Sequence, residues 1–418
     1  MTSKNTEVQR RTRTSGPSDR ADVVIVGAGA MGCSLAFHLA RAGVPRVIVV
    51  DKGAICSGMT FRSGALVRLH YTNEPEARIA LRAYEYFHHW GEIVGGDCGF
   101  VNTGFLFVVG PEHLDYLRSN VAMLQAIGVN TEIVGPEVVK EAQPFTNVEG
   151  IGAAAYEPES GYADPQKTTQ AFAAAAKRLG VVFKEGCPVS SILTRGGRAL
   201  GVKTAEGPIE ADAVVVMAGP WTDRLLATVD VPFAITPTLA EVVFLRRPSE
   251  LAQGHMVYID RAAGLYFRPH ANRLTFVGAG TVAGAGLVGP RTGDPDNLVD
   301  GNSPGQADFA RERIGRRVPI LGQAEYAMGH QGVYDTSPDG KAVLDRIEEI
   351  PGLYVAAGFS GTGFKKSPAI GLLMSELILE GAAHSVDIRP FRRSRFAEGE
   401  PIVGACEYGF IEGAELSM

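Results

Sequence analysis

Cysteine is scarce. Cys33, Cys56, Cys98, Cys187 and Cys406 are five in 418 residues, an odd number with no CxxC pair. That count excludes a disulfide-stapled scaffold and offers no metal-ligand spacing, so no metal site is expected and the thiols read as reduced and structural, in a cytoplasmic protein. An excess of positive charge is also missing. Forty Lys and Arg stand against 46 Asp and Glu, a net charge of −6, whereas non-specific nucleic-acid binding needs a basic surface. No uncharged apolar run reaches the ~18 residues of a membrane-spanning helix. Residues 1–20 are polar, and Arg10-Arg11 raise the question of a twin-arginine export signal. The apolar run that follows is only Val23 to Val26 before glycines intervene, so residues 1–20 read as a disordered tail. Internal repeats and low-complexity tracts are absent.

Glycine, in contrast, is abundant: 51 residues, above the usual ~7% of a chain. It clusters at Gly27 to Gly32 and Gly358 to Gly363, where the backbone must approach something closely. The first cluster, Gly27-Ala28-Gly29-Ala30-Met31-Gly32, is a GxGxxG between a buried strand, Val23–Val26, and a helix, Met31–Ala42, with Gly43 as its C-cap. A second strand, Val47–Val50, ends in Asp51. This is the context a dinucleotide site requires. Gly27 permits the turn, Gly29 lets a pyrophosphate reach the backbone, Gly32 lets the helix pack closely, and Asp51 suits ribose hydroxyls. An acid there disfavours a 2′-phosphate, while FAD and NAD both remain open.

Further along, helices are expected over Leu81–Ile93, Glu112–Ile127, from Asp164-Pro165 through Leu179, and over Pro368–Leu379. Strands are expected at Phe105–Val109, Val181–Phe183, Val189–Leu193, Ala199–Thr204, Val214–Met217 and Leu353–Ala357. Residues 231–329 carry short alternating stretches (Val242–Leu245, Met256–Ile259, Leu265–Arg268, Leu274–Val277) broken by Pro, Gly and Asn, the pattern of a mainly antiparallel sheet. The resulting α/β expectation is a discontinuous Rossmann-like domain over 21–97, 160–228 and 332–396. An α+β substrate domain spans 98–159 and 229–331, and a tail spans 397–418.

Three segments carry a resemblance: VVIVGAGAMGCSLAFHLARAG with Asp51, GMTFRSGALVRLHYTNEP (58–75), and AAGFSGTGFKKSPAIG (356–371) with SPDG (337–340) upstream. Residues 22 to about 390 resemble the D-amino-acid oxidase/sarcosine oxidase superfamily of FAD enzymes. The residues agree with FAD: Gly358, Gly361 and Gly363 make a second close backbone approach far from the first, which a large cofactor between domains needs. The resemblance implies that Lys52 lies on the cofactor side with Asp51, that Val189, Ala218 and Gly219 line the adenine side, and that Thr60, Arg62 and Ser63 approach the pyrophosphate. It also implies that Tyr334, Gly361, Thr362, Gly363 and Phe364 lie near the flavin ring. Arg68 and Lys365 would hold a substrate carboxylate, with Tyr266 shaping the pocket. Lys365 is followed by Lys366, and one of the two could simply be solvated. For His70, His270 and His330 a structural role is expected.

The implied reaction is oxidation of a C–N bond in a small carboxylate-bearing amine (a secondary amine, an N-methyl or a D-amino acid) by hydride transfer to flavin, giving an imine. Two departures from the family matter. Gly332 stands where one branch has a flavin-linking cysteine, so FAD is expected to be non-covalent. The strand Asn272 to Gly278 lacks the lysine that promotes reaction with O2. A dehydrogenase using an electron carrier therefore stays open beside an oxidase, as does an FAD-binding subunit that needs a partner.

Overall fold

The computed structural model describes residues 19–280 and 291–408; of the tail expected over 1–20, residues 1–18 lie outside the described residues, as does the segment 409–418, while Asp19 and Arg20 already belong to the first strand. Three sheets organise the chain. The first has eight strands in the order Val189–Arg195, Arg198–Thr204, Gly207–Val216, Asp19–Val26, Val47–Val50, Val182–Lys184. Leu353–Ala357 joins Gly207–Val216, and Val343–Arg346 joins Leu353–Ala357. Asp19–Val26 pairs in parallel with both Gly207–Val216 and Val47–Val50. Such strands are covered on both faces, which is why Val47–Val50 and the apolar part of Asp19–Val26 read as continuous β-branched runs instead of alternating. The helices Ala30–Arg41 and Pro165–Arg178 pack together on this sheet, and Ala30–Arg41 also packs on Ser367–Glu380. Asp164 caps the second of these: its Oδ1 accepts from the amides of Gln166 and Lys167, each at 2.9 Å, with Pro165 at the first helical position.

The second sheet also has eight strands, in the order Tyr326–Thr336, Thr236–Arg246, Leu274–Ala279, Leu265–His270, Val257–Asp260, Phe105–Val109, Ala153–Glu157, Glu132–Val134. Every pairing is antiparallel except Val257–Asp260 with Phe105–Val109. It draws on residues 105–157 and 236–336. A small antiparallel sheet (Leu66–Val67, Gly161–Tyr162, Val101–Asn102) lies beside it. The architecture is thus α/β with a Rossmann-like layer and a mainly antiparallel second layer. No helix among the described residues is long and apolar enough to cross a membrane.

Several elements differ from expectation. The helix expected over Leu81–Ile93 spans Glu74–His88, with a short turn Trp90–Ile93 after it. Asn73 caps it by accepting from the Glu76 amide at 3.0 Å, so helix begins as soon as the cap and Pro75 allow. Glu112–Ile127 resolves into a 3-10 turn, Pro111–His113, and a helix, Leu114–Ala126. The helix Gln306–Arg317 was not anticipated: half of its residues are charged, and it buries only Gln306, Ala310, Ile314 and Arg317. Nor was the strand Tyr326–Thr336, whose sides alternate without a clean apolar face.

The tail expected from residue 397 does not leave the fold there. Arg395 is fully buried; its Nε donates to Asp339 Oδ2 at 2.8 Å and its Nη2 to Asp339 Oδ1 at 2.9 Å. Asp339 also accepts from the amide of Ile402 at 3.0 Å, and Ile402 and Tyr408 are buried. These polar ties and apolar contacts hold the chain to the body through Tyr408. Removing the anion from this pair strands a buried guanidinium. Asp339→Ala is expected to cost about 3–5 kcal/mol in thermal or denaturant unfolding. Arg46→Ala, which breaks an exposed pair with Asp22, is expected to leave the unfolding midpoint nearly unchanged.

Candidate functional site

The carboxyl ends of the parallel strands open onto one elongated cavity of about 760 Å3, within the ~300–1,000 Å3 typical of small-molecule sites. Val26-Gly27, Val50-Asp51 and Met217-Ala218 contribute its floor, and Ala240, Val242, Ile259 and Tyr266 of the antiparallel sheet form the opposite wall. Gly27 takes φ +115° directly under Met217, whose carbonyl oxygen would lie 2.3 Å from any added Cβ. Gly32 does not line the cavity: a Cβ there would come within 1.9 Å of the Gly27 carbonyl oxygen, so it seats the helix Ala30–Arg41 against the turn. That helix starts with no side-chain cap and no acid in its first turn. Such a helix N-terminus is an anion site.

The residues around this turn tie it in place. Asp51 Oδ2 accepts from the Ala28 amide at 2.7 Å and Oδ1 from the Gly53 amide at 2.8 Å. Thr60 Oγ1 accepts from the Ala30 amide at 3.1 Å. Arg62 Nη1 donates to the Gln331 carbonyl at 2.7 Å, and Ser63 Oγ accepts from the Ala65 amide at 3.0 Å. Thr60, Arg62 and Ser63 all line the cavity, as do Gly29, Lys52, Val189, Ala218 and Gly219. The Lys52 ammonium is engaged at the rim: it meets Asp296 at 2.6 Å and sits 3.8 Å from the Trp221 ring centroid. Asp296 also accepts from Trp221 Nε1 at 2.8 Å and from Arg224.

At the other end lie Tyr334, Gly361, Thr362, Gly363, Phe364, Lys365, Arg68 and Tyr266. Gly358 stands behind this lining, its amide donating to Asp335 Oδ2 at 2.8 Å. Gly361, at φ +79°, lies flat on the Tyr334 ring, leaving 3.0 Å to an added Cβ. Tyr266 occupies the space above its cross-strand partner Gly278, where a Cβ would fall 2.0 Å from the ring. The Tyr266 and Tyr334 phenols face one another, and burial pushes both up from the ordinary tyrosine range, Tyr266 well above it.

The two lysines of the Phe364–Lys366 turn part company. Neither is solvated: Lys365 and Lys366 are 7% and 1% exposed, which sets aside the alternative that one of them points to water. Lys366 Nζ pairs with Glu76 Oε1 at 2.6 Å and lies 2.9 Å from Thr362 Oγ1. Lys365 has no hydrogen-bond or ion-pair partner among the described residues, and it lines the cavity with Arg68. Desolvation, then the charges of Arg68 and Lys366, hold its pKa well below the usual lysine range. The Arg68 guanidinium donates to the His70 carbonyl and lies over the Tyr71 ring at 4.7 Å. His70 and His270 are kept neutral, with pKa values near 3 and 4, first by burial and then by adjacent arginine charge. His330 reaches the Arg62 carbonyl at 3.2 Å.

Residues 22–377 match the family described as DAO, FAD dependent oxidoreductase. The chain belongs to this family of FAD-dependent oxidoreductases. It is 28% identical over 404 residues to the sarcosine oxidase subunit beta of an Arthrobacter species, covering 92% of this chain and 93% of that one. It is 27% identical over 382 residues to rat mitochondrial dimethylglycine dehydrogenase, covering 87% of this chain but 43% of that protein, so it spans less than half the length of that relative. Among solved structures, L-proline dehydrogenase from P. horikoshii superposes with a TM-score of 0.84 at 28% identity, covering 92% of this chain and all of that one.

The cavity suits FAD on its own geometry. A helix start with no acid in its first turn and a glycine turn that no Cβ could enter stand at one end, and a second glycine turn and a pair of tyrosines at the other. Cys187, beside Val189, is the one cysteine that lines the cavity among the described residues. Reasoning from local motifs missed Trp221, Arg224, Asp296 and the counter-ion Glu76, which reach the site from distant segments and carry no signature of their own. In this oxidoreductase, Gly32→Ala is expected to displace the Gly27 turn and abolish FAD retention, read as the ratio of flavin to protein absorbance. Gly91→Ala, where an added Cβ meets nothing within 4 Å, should leave that ratio unchanged.

Proposed function

We propose that this chain oxidises a C–N bond in a small amine that carries a carboxylate: a secondary amine, an N-methyl amino acid or a D-amino acid. One observation carries the reading. Lys365 is buried at the cavity wall beside Arg68 with no ion-pair or hydrogen-bond partner among the described residues, and the buried carboxylates of Glu76 and Glu157 act on it only at longer range, too weakly to offset burial. A substrate carboxylate supplies that partner. Arg68 offers planar, two-toothed recognition, and Lys365 a point charge.

Held there, the carboxylate fixes the amine and its neighbouring carbon in one orientation, which lowers the entropic part of the barrier. Two adjacent cations also depress the pKa of the substrate amine, favouring its neutral, reactive form. No general base is required. FAD, bound without a covalent link, supplies the two-electron acceptor. Tyr266 and Tyr334 shape the pocket and limit water near the reacting carbon, and loss of hydride from that carbon leaves an imine that water hydrolyses.

One observation favours an electron carrier over O2. Across Asn272 to Gly278 no lysine occurs, and Arg273 turns away from the cavity to donate to the Arg247 carbonyl at 3.2 Å. A partner subunit fits the same picture, since one relative is by its name a subunit.

Anaerobic addition of a mixed pool of secondary and D-amino acids is expected to bleach the flavin spectrum. Admitting air then restores it with peroxide for an oxidase, and only slowly for a carrier-linked enzyme. A flavin untouched by every carboxylate amine would contradict the reading. Arg68→Ala should lower kcat/KM for such substrates by about 1.5–3 kcal/mol, roughly 10- to 150-fold; unchanged kinetics would remove Arg68 from the site. Lys365 must be charged to hold an anion, so acetate affinity, followed through the flavin band, should fall as pH rises through its lowered pKa. That loss should begin well below the ordinary lysine range, and Lys365→Arg should carry acetate binding to higher pH.

A further inference from the structure

Beyond the helix Arg395–Glu398 the chain crosses from the side of the glycine turns to the antiparallel sheet. Asn120 Nδ2 donates to the Cys406 carbonyl at 2.9 Å, and Arg261 Nη2 to the Tyr408 carbonyl at 3.0 Å. Tyr408 is 6% exposed and packs on Phe107, with ring centroids 5.0 Å apart. Its hydroxyl lies 2.9 Å from His70 Nε2.

His70 is itself stacked on Phe107 at 4.1 Å. Its Nδ1 is buried without a partner, so the Tyr408 hydroxyl is the one polar tie on this imidazole among the described residues. The backbone carbonyl of the same residue receives the Arg68 guanidinium. Arg68 Nε is likewise buried without a partner, which leaves that carbonyl as its hydrogen-bond anchor among the described residues.

The neighbouring residue of the same segment reaches the other cation. Glu407 lies 3.6 Å from Lys341 Nζ, Lys341 lies 3.5 Å from Glu76, and Glu76 pairs with Lys366, next in sequence to Lys365. Two adjacent residues thus back both cations, one through an imidazole and one through an ion-pair chain.

We propose that residues 404–408 form a positioning strap behind the cationic pair, in which Tyr408, through His70, fixes the orientation of Arg68 and Glu407 steadies the turn that carries Lys365. Tyr408 and Glu407 touch neither substrate nor cofactor; they are positioning residues, and the inference rests on the carboxylate reading above. Its physical basis is that a guanidinium with one anchor swings, and a displacement of about 1 Å at a recognition group is costly.

The test uses the FAD-loaded protein and acetate, with Kd read from the shift of the flavin band. Tyr408→Phe removes only the hydroxyl. It is expected to weaken acetate about three- to tenfold, the loss of one hydrogen bond's contribution, with flavin content unchanged. Adding Tyr408→Phe to Arg68→Ala should cause no further loss, because the effect runs through the arginine. If Tyr408→Phe binds acetate like the parent while Arg68→Ala has lost it, the strap is overturned and the carboxylate reading stands. If Arg68→Ala binds acetate like the parent, the carboxylate reading falls and the strap with it. Should Tyr408→Phe shed its flavin, Asn120→Ala, which frees the strap at the Cys406 carbonyl, is read in the same way.

Discussion

An arginine and a buried lysine held side by side at the wall of the cavity, with the lysine's charge disfavoured by burial, are the constraint on which the site depends. Opposite charge normally accompanies a buried cation, because desolvation alone is prohibitive. Lys366 obeys that rule through Glu76, while Lys365, one residue earlier, does not. The difference lies in the turn Phe364–Lys366, which sends successive side chains to opposite sides: one into the packed layer against the helix Glu74–His88, the other to the cavity. An environment that disfavours a charge until an anion arrives is one that binds the anion with selectivity.

The rest of the fold brings that pair to the end of a long cofactor cavity. Parallel strands place the glycine turn and Asp51 at one end, where ligands of open α/β sheets bind. The antiparallel sheet supplies the opposite wall, with Tyr266 standing on Gly278. The loop from Gly58 to Arg68 runs between them. It is tied to the first helix through Thr60 and to the strand Tyr326–Thr336 through Arg62, so the two layers are registered by the same segment that delivers Arg68.

Much of this was legible in the residues, and what was legible is local. The GxGxxG with its flanking strand and helix, Asp164-Pro165 as a helix start, and the Gly-rich turn before Lys365 each announce themselves within a dozen positions. The alternation of 231–329 indicated the antiparallel layer. What escaped depends on partners far along the chain. Gln306–Arg317 is helical because Ala310 and Ile314 find a sheet to cover, which its charged composition hides. Asp296 reaches Lys52 across 244 positions, and Tyr408 reaches His70 across 338. The last of these turned an expected tail into part of the packed body. Motif position, directly after Gly363-Phe364, pointed to Lys365 over Lys366; the physical reason, Glu76 pairing with Lys366, is not visible in the sequence.

The central claim is that a carboxylate on the substrate completes the buried cationic pair. The most direct measurement is the rate of anaerobic flavin reduction by an amino acid that bleaches the protein, set against the same compound as its methyl ester. Reduction by the acid that is lost or slowed by orders of magnitude for the ester is the result this account predicts. Equal rates for acid and ester would contradict it, and would mean that Arg68 and Lys365 serve something other than the substrate.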